Sequence, residues 1–292
     1  MERLRFDHLG VEALALGTGP TTLLLHGFPD LPTSWLPVAE RLARNGGRCV
    51  LPYMPGYPPS SPEGPLDVDI VADRIASLAA ELAPRVHLVG HDWGSVVAQG
   101  AVLRHPERFE RLALLSVPHV LTFLRNTLRS PRQLARSRYM AFFQLPWLPE
   151  RRVRDAAAIE AIYRRWSPGS PPRAHIRDVA DAIARGEGAP LGYYRANLRP
   201  GPALLRSLRR ARRTPIAAPT LYLHGAEDGC IAPGIARGQR RHFAGPFRCD
   251  VLPAAGHFLQ LDAPRAVADA LARWLLSPAQ TPPKRPPHDR ER

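Results

Sequence analysis

The chain has 292 residues and 45% apolar content, enough to bury the core of one large domain or of one domain carrying an insert. No apolar run nears the roughly 18–20 residues of a membrane span, the charged start MERLRFDHLG lacks an export signal's apolar stretch, and Cys49, Cys230 and Cys249 are too scattered for a disulfide framework or a zinc site, so no integral membrane contact and a reducing cytoplasm are expected. The net charge of +14 comes with a single lysine, Lys284, amid abundant Ala, Pro and Arg; it reads as compositional bias rather than as the footprint of nucleic acid or a membrane surface, and no nucleic-acid motif accompanies it.

In chain order, Leu4–Asp7 and Val11–Leu16 suit an antiparallel hairpin at a sheet edge. Thr21–Leu25, Arg48–Tyr53, Arg85–Val89 and Arg111–Val117 read as strands, with helical patterns at Val38–Arg44, Asp67–Ala83 and Ser95–Arg104 between them. The alternation stops near His119 and resumes near Pro219 with strands Thr220–His224 and Arg248–Leu252 and a helix at Pro264–Leu276. Between the two stretches lie Arg-rich helical segments broken by PWLPE, SPGSPP and RPGP. Strand–helix alternation predicts an α/β fold with a mostly parallel sheet and helices on both faces. The chain divides into a first core part at 1–120, a helical insert at 121–213, a second core part at 214–278 and a Pro-rich tail at 279–292 that is expected to be disordered. The insert holds 20 arginines against six acids, a surplus as large as the net charge of the whole chain. Those guanidiniums are expected on its outer face, because a buried unpaired charge is very costly.

The chemistry starts at GHDWGS, residues 90–95. A strand precedes it, a helix follows, and small residues at 90 and 94 permit a sharp turn that lifts Asp92 above the carboxyl edge of the sheet. The dipole of the following helix keeps a carboxylate there ionised. A carboxylate needs no base to become a nucleophile, and its attack on an sp³ carbon leaves an alkyl ester of the protein itself. A plain helix-capping Asp is the alternative. Hydrolysis of the ester needs a base. LPAAGHFLQLD places His257 after the last strand, and LYLHGAEDG places Asp228 on the preceding one's loop, where it would fix the imidazole tautomer. LLLHGFPD brings the Phe28 backbone N–H beside the turn, and the Trp93 backbone N–H supplies the second donor for an oxyanion.

HGFPD, GHDWGS, HGAED and GHF, in this order, resemble the α/β-hydrolase family, specifically its epoxide hydrolase and haloalkane dehalogenase branch. The match covers roughly residues 5–277. The resemblance implies an α/β-hydrolase fold with 121–213 as a helical cap. It also implies a hydrolase acting on ether bonds, with two cap tyrosines to protonate the epoxide oxygen. Tyr139 in RYMAFFQLP and Tyr194 in GYYRAN match them, and Tyr193 leaves the second assignment open; SVPHV at the core-to-cap junction fits the same pattern. The expected partners are a small hydrophobic epoxide and water, with no metal or organic cofactor; the oligomeric state, dimer included, stays open. A haloalkane or haloacid dehalogenase using the same Asp92 is the first rival. It would need halide donors, for which Trp93, Trp147 and Trp166 are candidates, although position 28 is Phe where an Asn is usual. Fluoroacetate-type enzymes carry Arg just after the nucleophile, where Trp93 and Ser95 stand here. The second rival is a non-catalytic ligand-binding scaffold.

Overall fold

Thr21–Leu25 is buried at every position, which a strand achieves only when helices cover both faces of its sheet. Leu23 and Leu25 pack on one side with Val71, Ile75 and Val97, whereas Leu24 packs on the other with Trp35, Val38 and Leu271. The computed structural model describes residues 1–60, 64–169 and 171–276; the tail expected at 279–292 lies outside the described residues. Strands β1 (Glu2–Phe6), β2 (Val11–Gly17), β3 (Thr21–Leu25), β4 (Arg48–Pro52), β5 (Val86–His91), β6 (Phe109–Leu115), β7 (Thr220–Gly225) and β8 (Phe247–Leu252) form one sheet in the order β1-β2-β4-β3-β5-β6-β7-β8. The β1–β2 hairpin lies at the edge, antiparallel to β4, and every other pairing is parallel.

Helices α1 (Leu36–Arg44), α2 (Val68–Leu82) and α3 (Trp93–Arg104) come before β6, and α12 (Leu259–Asp262) and α13 (Pro264–Leu275) after β8. α1 and α13 cover one face of the sheet, and α2 and α3 the other. Between β6 and β7 run α4 (Val120–Leu128), α5 (Pro131–Arg136), α6 (Arg138–Phe142), α7 (Leu148–Val153), α8 (Ala156–Trp166), α9 (Arg173–Arg185), α10 (Gly192–Leu198) and α11 (Pro202–Arg213). None of the 20 arginines in 121–213 is buried, as the cost of burying a lone guanidinium requires. Most element bounds differ from the sequence reading by one or two residues, and two of the shifts have plain local reasons. β6 ends at Leu115 rather than Val117, because Ser116 takes φ 67° and the Val117 N–H turns back to the Leu115 carbonyl. α1 starts at Leu36, two residues early, because Pro37 fits the first helical turn.

The turn from β5 into α3 depends on close backbone approach. A Cβ on Gly90 would run into the Gly94 carbonyl, and one on Gly94 into the Leu25 carbonyl at the end of β3. Gly94→Ala is therefore expected to cost roughly 1–3 kcal/mol. Gly234→Ala, where nothing lies within 4 Å, should change stability by no more than about 0.5 kcal/mol. Urea denaturation of the two variants checks the contrast.

Candidate active site

Asp92 sits at the turn with φ 52° and ψ −119°, outside the regions an L-residue prefers. Such a conformation costs about 1–3 kcal/mol and persists only where its surroundings enforce it. Here β3, β5 and α3 do so through the two glycine contacts. Ser95 adds a stitch: its hydroxyl donates to the Leu115 carbonyl at 2.9 Å and accepts from the Leu115 N–H at 3.1 Å. The Asp92 carboxylate does not cap α3. It turns instead into the space above the sheet edge. There Oδ1 accepts the Phe28 backbone N–H at 2.9 Å, and Oδ2 lies 3.4 Å from His257 Nε2. Trp93 opens α3, so its backbone N–H has no acceptor within the helix.

His257 is fully buried. Its Nδ1 faces Asp228 Oδ2 at 2.9 Å, and the other Asp228 oxygen accepts the Cys230 and Ile231 N–H groups, each at 2.7 Å. The three groups thus form a line, carboxylate–imidazole–carboxylate, with Nδ1–H donating to Asp228 and Nε2 turned to Asp92. Burial alone would lower the His257 pKa, but the Asp228 charge and hydrogen bond, with those of Asp92, outweigh it and raise the value to about 10. Burial would likewise raise the Asp92 pKa. The His257 hydrogen bond and charge, the His91 charge and the Phe28 N–H outweigh that and hold it below the ordinary carboxylate value. The His257 loop is clamped from several sides. The Ser116 hydroxyl and His91 Nε2 donate to its carbonyl at 2.6 and 2.8 Å, and its N–H donates to the Trp166 carbonyl at 2.9 Å.

Helices α6, α8 and α10 bring aromatic side chains over the carboxylate. The Tyr139 and Tyr194 rings lie 5.9 Å apart, both edge-on to Phe143, and Tyr194 also meets Trp93 at 5.0 Å. Burial, with a contribution from the Asp92 charge, holds both phenols well above their ordinary pKa, so both carry their protons at neutral pH. The Tyr139 hydroxyl stands 3.5 Å from Cys230 Sγ. The Tyr194 hydroxyl is near the Trp93 indole without reaching hydrogen-bond geometry and has no hydrogen-bond partner among the described residues. Tyr193 donates its hydroxyl to the Pro55 carbonyl at 3.0 Å, which takes it away from the carboxylate. Trp166 packs edge-on to His257 at 5.3 Å, whereas Trp147 is 79% exposed and cannot serve the site as a halide donor.

A second buried polar group escaped the sequence reading. Asp30 is fully buried and bonded to three side chains: His175 Nε2 at 3.0 Å, the Tyr163 hydroxyl at 3.2 Å and Gln260 Nε2 at 3.0 Å. Gln260 in turn meets His91 Nδ1 at 3.3 Å, so the cluster reaches the His257 loop. Asp30 stands inside the HGFPD run and was open to view, but His175 is 145 residues away in a segment with no marking pattern. His26 holds the neighbouring turn: its Nε2 accepts the Met54 N–H at 3.1 Å, its Nδ1 faces the Gly27 carbonyl at 3.0 Å, and burial lowers its pKa to about 4.

This fold and this carboxylate–imidazole–carboxylate line define an α/β hydrolase, and the chain belongs to that family: the model of the alpha/beta hydrolase family matches residues 22–270. Among relatives, it is 30% identical to epoxide hydrolase 3 of Xenopus tropicalis, over 88% of this chain and 71% of that one. It is 29% identical to epoxide hydrolase A of Mycobacterium tuberculosis, over 88% and 90%. Among solved structures, Cfl2 of Burkholderia cenocepacia superposes with a TM-score of 0.79 at 26% identity, covering 91% of this chain and 92% of that one.

The raised His257 pKa has a thermodynamic signature. The folded chain keeps this proton to higher pH than the unfolded chain, whose imidazole titrates near 6.5. The stability it supplies is therefore complete below pH 6.5 and is lost as pH rises towards about 10. Urea denaturation across that window should show the wild-type advantage over His257→Gln shrinking as pH rises.

Proposed function

We propose that this chain is an epoxide hydrolase that adds water to a small hydrophobic epoxide through an ester of Asp92, with Asp92, His257 and Asp228 as its catalytic triad and 121–213 as its cap. The observation that carries this reading is the pairing of an ionised, non-capping carboxylate with two buried, protonated phenols above it, one hydroxyl unpartnered. Asp92 Oδ2 attacks an epoxide carbon and the C–O bond to the ring oxygen breaks. Tyr139 and Tyr194 hold that oxygen, and one gives it a proton. Losing the Asp92 charge removes one of the two carboxylates that keep His257 protonated. Its pKa then falls, its proton restores the phenol, and the neutral Nε2 can act as a base. It takes a proton from water, whose oxygen attacks Asp92 Cγ. The developing oxyanion on Oδ1 meets the Phe28 and Trp93 backbone N–H groups. The ester Cγ–Oδ2 bond breaks as the His257 imidazolium protonates the departing oxygen, the diol leaves with Oδ2, solvent oxygen stays on Asp92, and the new carboxyl returns its proton to His257. No metal or organic cofactor enters the scheme.

Dehalogenation is less well supported, since Trp147 lies in solvent and position 28 is Phe. A non-catalytic scaffold would not need the aligned Asp92, His257 and Asp228. Cys49, Cys230 and Cys249 are all unpaired, which suits a reducing cytoplasm; among the described residues no helix is long and apolar enough to cross a membrane.

Two experiments test the scheme. Tyr139→Phe and Tyr194→Phe should each slow diol formation by roughly 10²–10⁴-fold while leaving the fold intact. If neither slows it, the tyrosines are packing residues. His257→Gln should accumulate the ester, seen by mass spectrometry as one substrate mass on the peptide holding Asp92. A single wild-type turnover in ¹⁸O-water should label Asp92 and leave the first diol unlabelled. Labelled first diol with no adduct would mean direct attack by water.

A further inference from the structure

Trp147 combines two costs that nothing among the described residues offsets. It is 79% exposed, and its φ of 57° lies in the left-handed region that bulky side chains avoid. Its neighbours Leu145 and Leu148 are 47% and 56% exposed, so the tip of this loop is a contiguous apolar patch. The loop is held in that shape. Arg195 on α10 donates to the Phe143 and Leu145 carbonyls at 3.0 and 2.6 Å and pairs with Glu150 at 2.6 Å. The exposed cations nearest in sequence, Arg151, Arg152 and Arg154, follow on and after α7. The nearby acids are too few to neutralise them: Glu150 pairs with Arg195 and feels Arg154 only at longer range, and Asp155 lies 4.0 Å from Arg152.

The same patch continues into a cavity of about 630 Å³ among α6, α7 and α8, lined by Leu148, Phe142 and Ile162. Tyr139 and Trp166 form its inner wall, and these two residues also face Tyr194 and His257. Exposed Arg138, Arg152 and Arg165 line it together with half-buried Arg136, and among the described residues Arg138 and Arg165 have no acidic partner. An apolar tip with Trp at its apex, a collar of arginines and an apolar channel behind it match one kind of surface. An aromatic ring and leucines enter the lipid interface while guanidiniums bind anionic headgroups. Each arginine near such a surface strengthens binding roughly fivefold.

We propose that the Leu145–Leu148 tip and its arginine collar dock this protein on an anionic lipid surface, with the mouth of the cavity turned towards the bilayer. The docking goes beyond the hydrolytic reading and does not need it; only the use of the cavity to take up lipophilic epoxides rests on that reading. Vesicle co-sedimentation tests it. The protein should pellet with vesicles of phosphatidylcholine and phosphatidylglycerol in equal parts, at least about tenfold more than with phosphatidylcholine alone, and less as salt is raised. The Leu145→Glu, Trp147→Glu double variant should lose about tenfold in vesicle binding with its circular dichroism unchanged. Brominated lipids should quench part of the wild-type tryptophan fluorescence, and Trp147→Phe should remove that quenched part while still pelleting. No binding to the anionic vesicles, equal binding by the double variant, or quenching that survives Trp147→Phe would overturn the proposal. So would retention on duplex DNA without vesicle binding, which would assign the arginines to a nucleic acid.

Discussion

Burying a carboxylate is among the most expensive things a fold can do, and this one buries three along the carboxyl edge of its sheet, after β3, β5 and β7: Asp30, Asp92 and Asp228. Each is tolerated only because donors surround it. Asp228 takes two backbone N–H groups and an imidazole, Asp30 takes His175, Tyr163 and Gln260, and Asp92 takes one backbone N–H and the imidazole it shares with Asp228. Asp92 has the fewest donors and the least relaxed backbone. That spare capacity fits the nucleophile's part proposed for it. The arrangement requires the strand ends to be fixed to a fraction of an ångström, which explains why glycine occupies the positions where β3, β5 and α3 nearly touch.

Most of this was legible because it is local. Thr21–Leu25 coincides with β3 at both ends, since a β-branched and leucine run flanked by Gly-Pro and His-Gly leaves a strand no other place to be. Phe28, Asp92, Asp228 and His257 each follow a strand, and parallel strands deliver their carboxyl ends to one edge. The tyrosine pair was legible only in part. GYYRAN offers two adjacent rings, and helical geometry turns them about 100° apart. Which of them faces the carboxylate depends on where Pro55 lies in space. The Asp30–His175 contact was not legible at all, because the periodicity of α9 marks the face that Ile176, Val179 and Ile183 bury but not which distant turn His175 meets.

The insert between β6 and β7 separates two kinds of side chain with little overlap. Its tyrosines, Trp166 and Phe143 turn inward over the sheet edge, and most of its arginines are exposed, although Arg136 reaches the Asp228 carbonyl at 2.9 Å. Composition alone made the charge look like coding bias. Bias explains why the cations are arginine, but their outward placement is set by desolvation, and the exposed Leu145, Trp147 and Leu148 among them are explained by neither.

The Trp166 carbonyl accepts two hydrogen bonds, from Gly229 N–H at 3.1 Å and from His257 N–H at 2.9 Å, and the Ser167 hydroxyl accepts the Phe258 N–H at 3.0 Å. Two loops from the second half of the sheet are thus moored to one dipeptide at the end of α8. Anyone grafting a foreign helical segment onto this scaffold inherits that mooring. A transplant that leaves 166–167 in place keeps that mooring, and it must also keep Tyr139, Tyr163 and Gln133 on the helices before it, which reach the same sheet edge. One that crosses the dipeptide resets the distance between imidazole and carboxylate, however well its own helices pack.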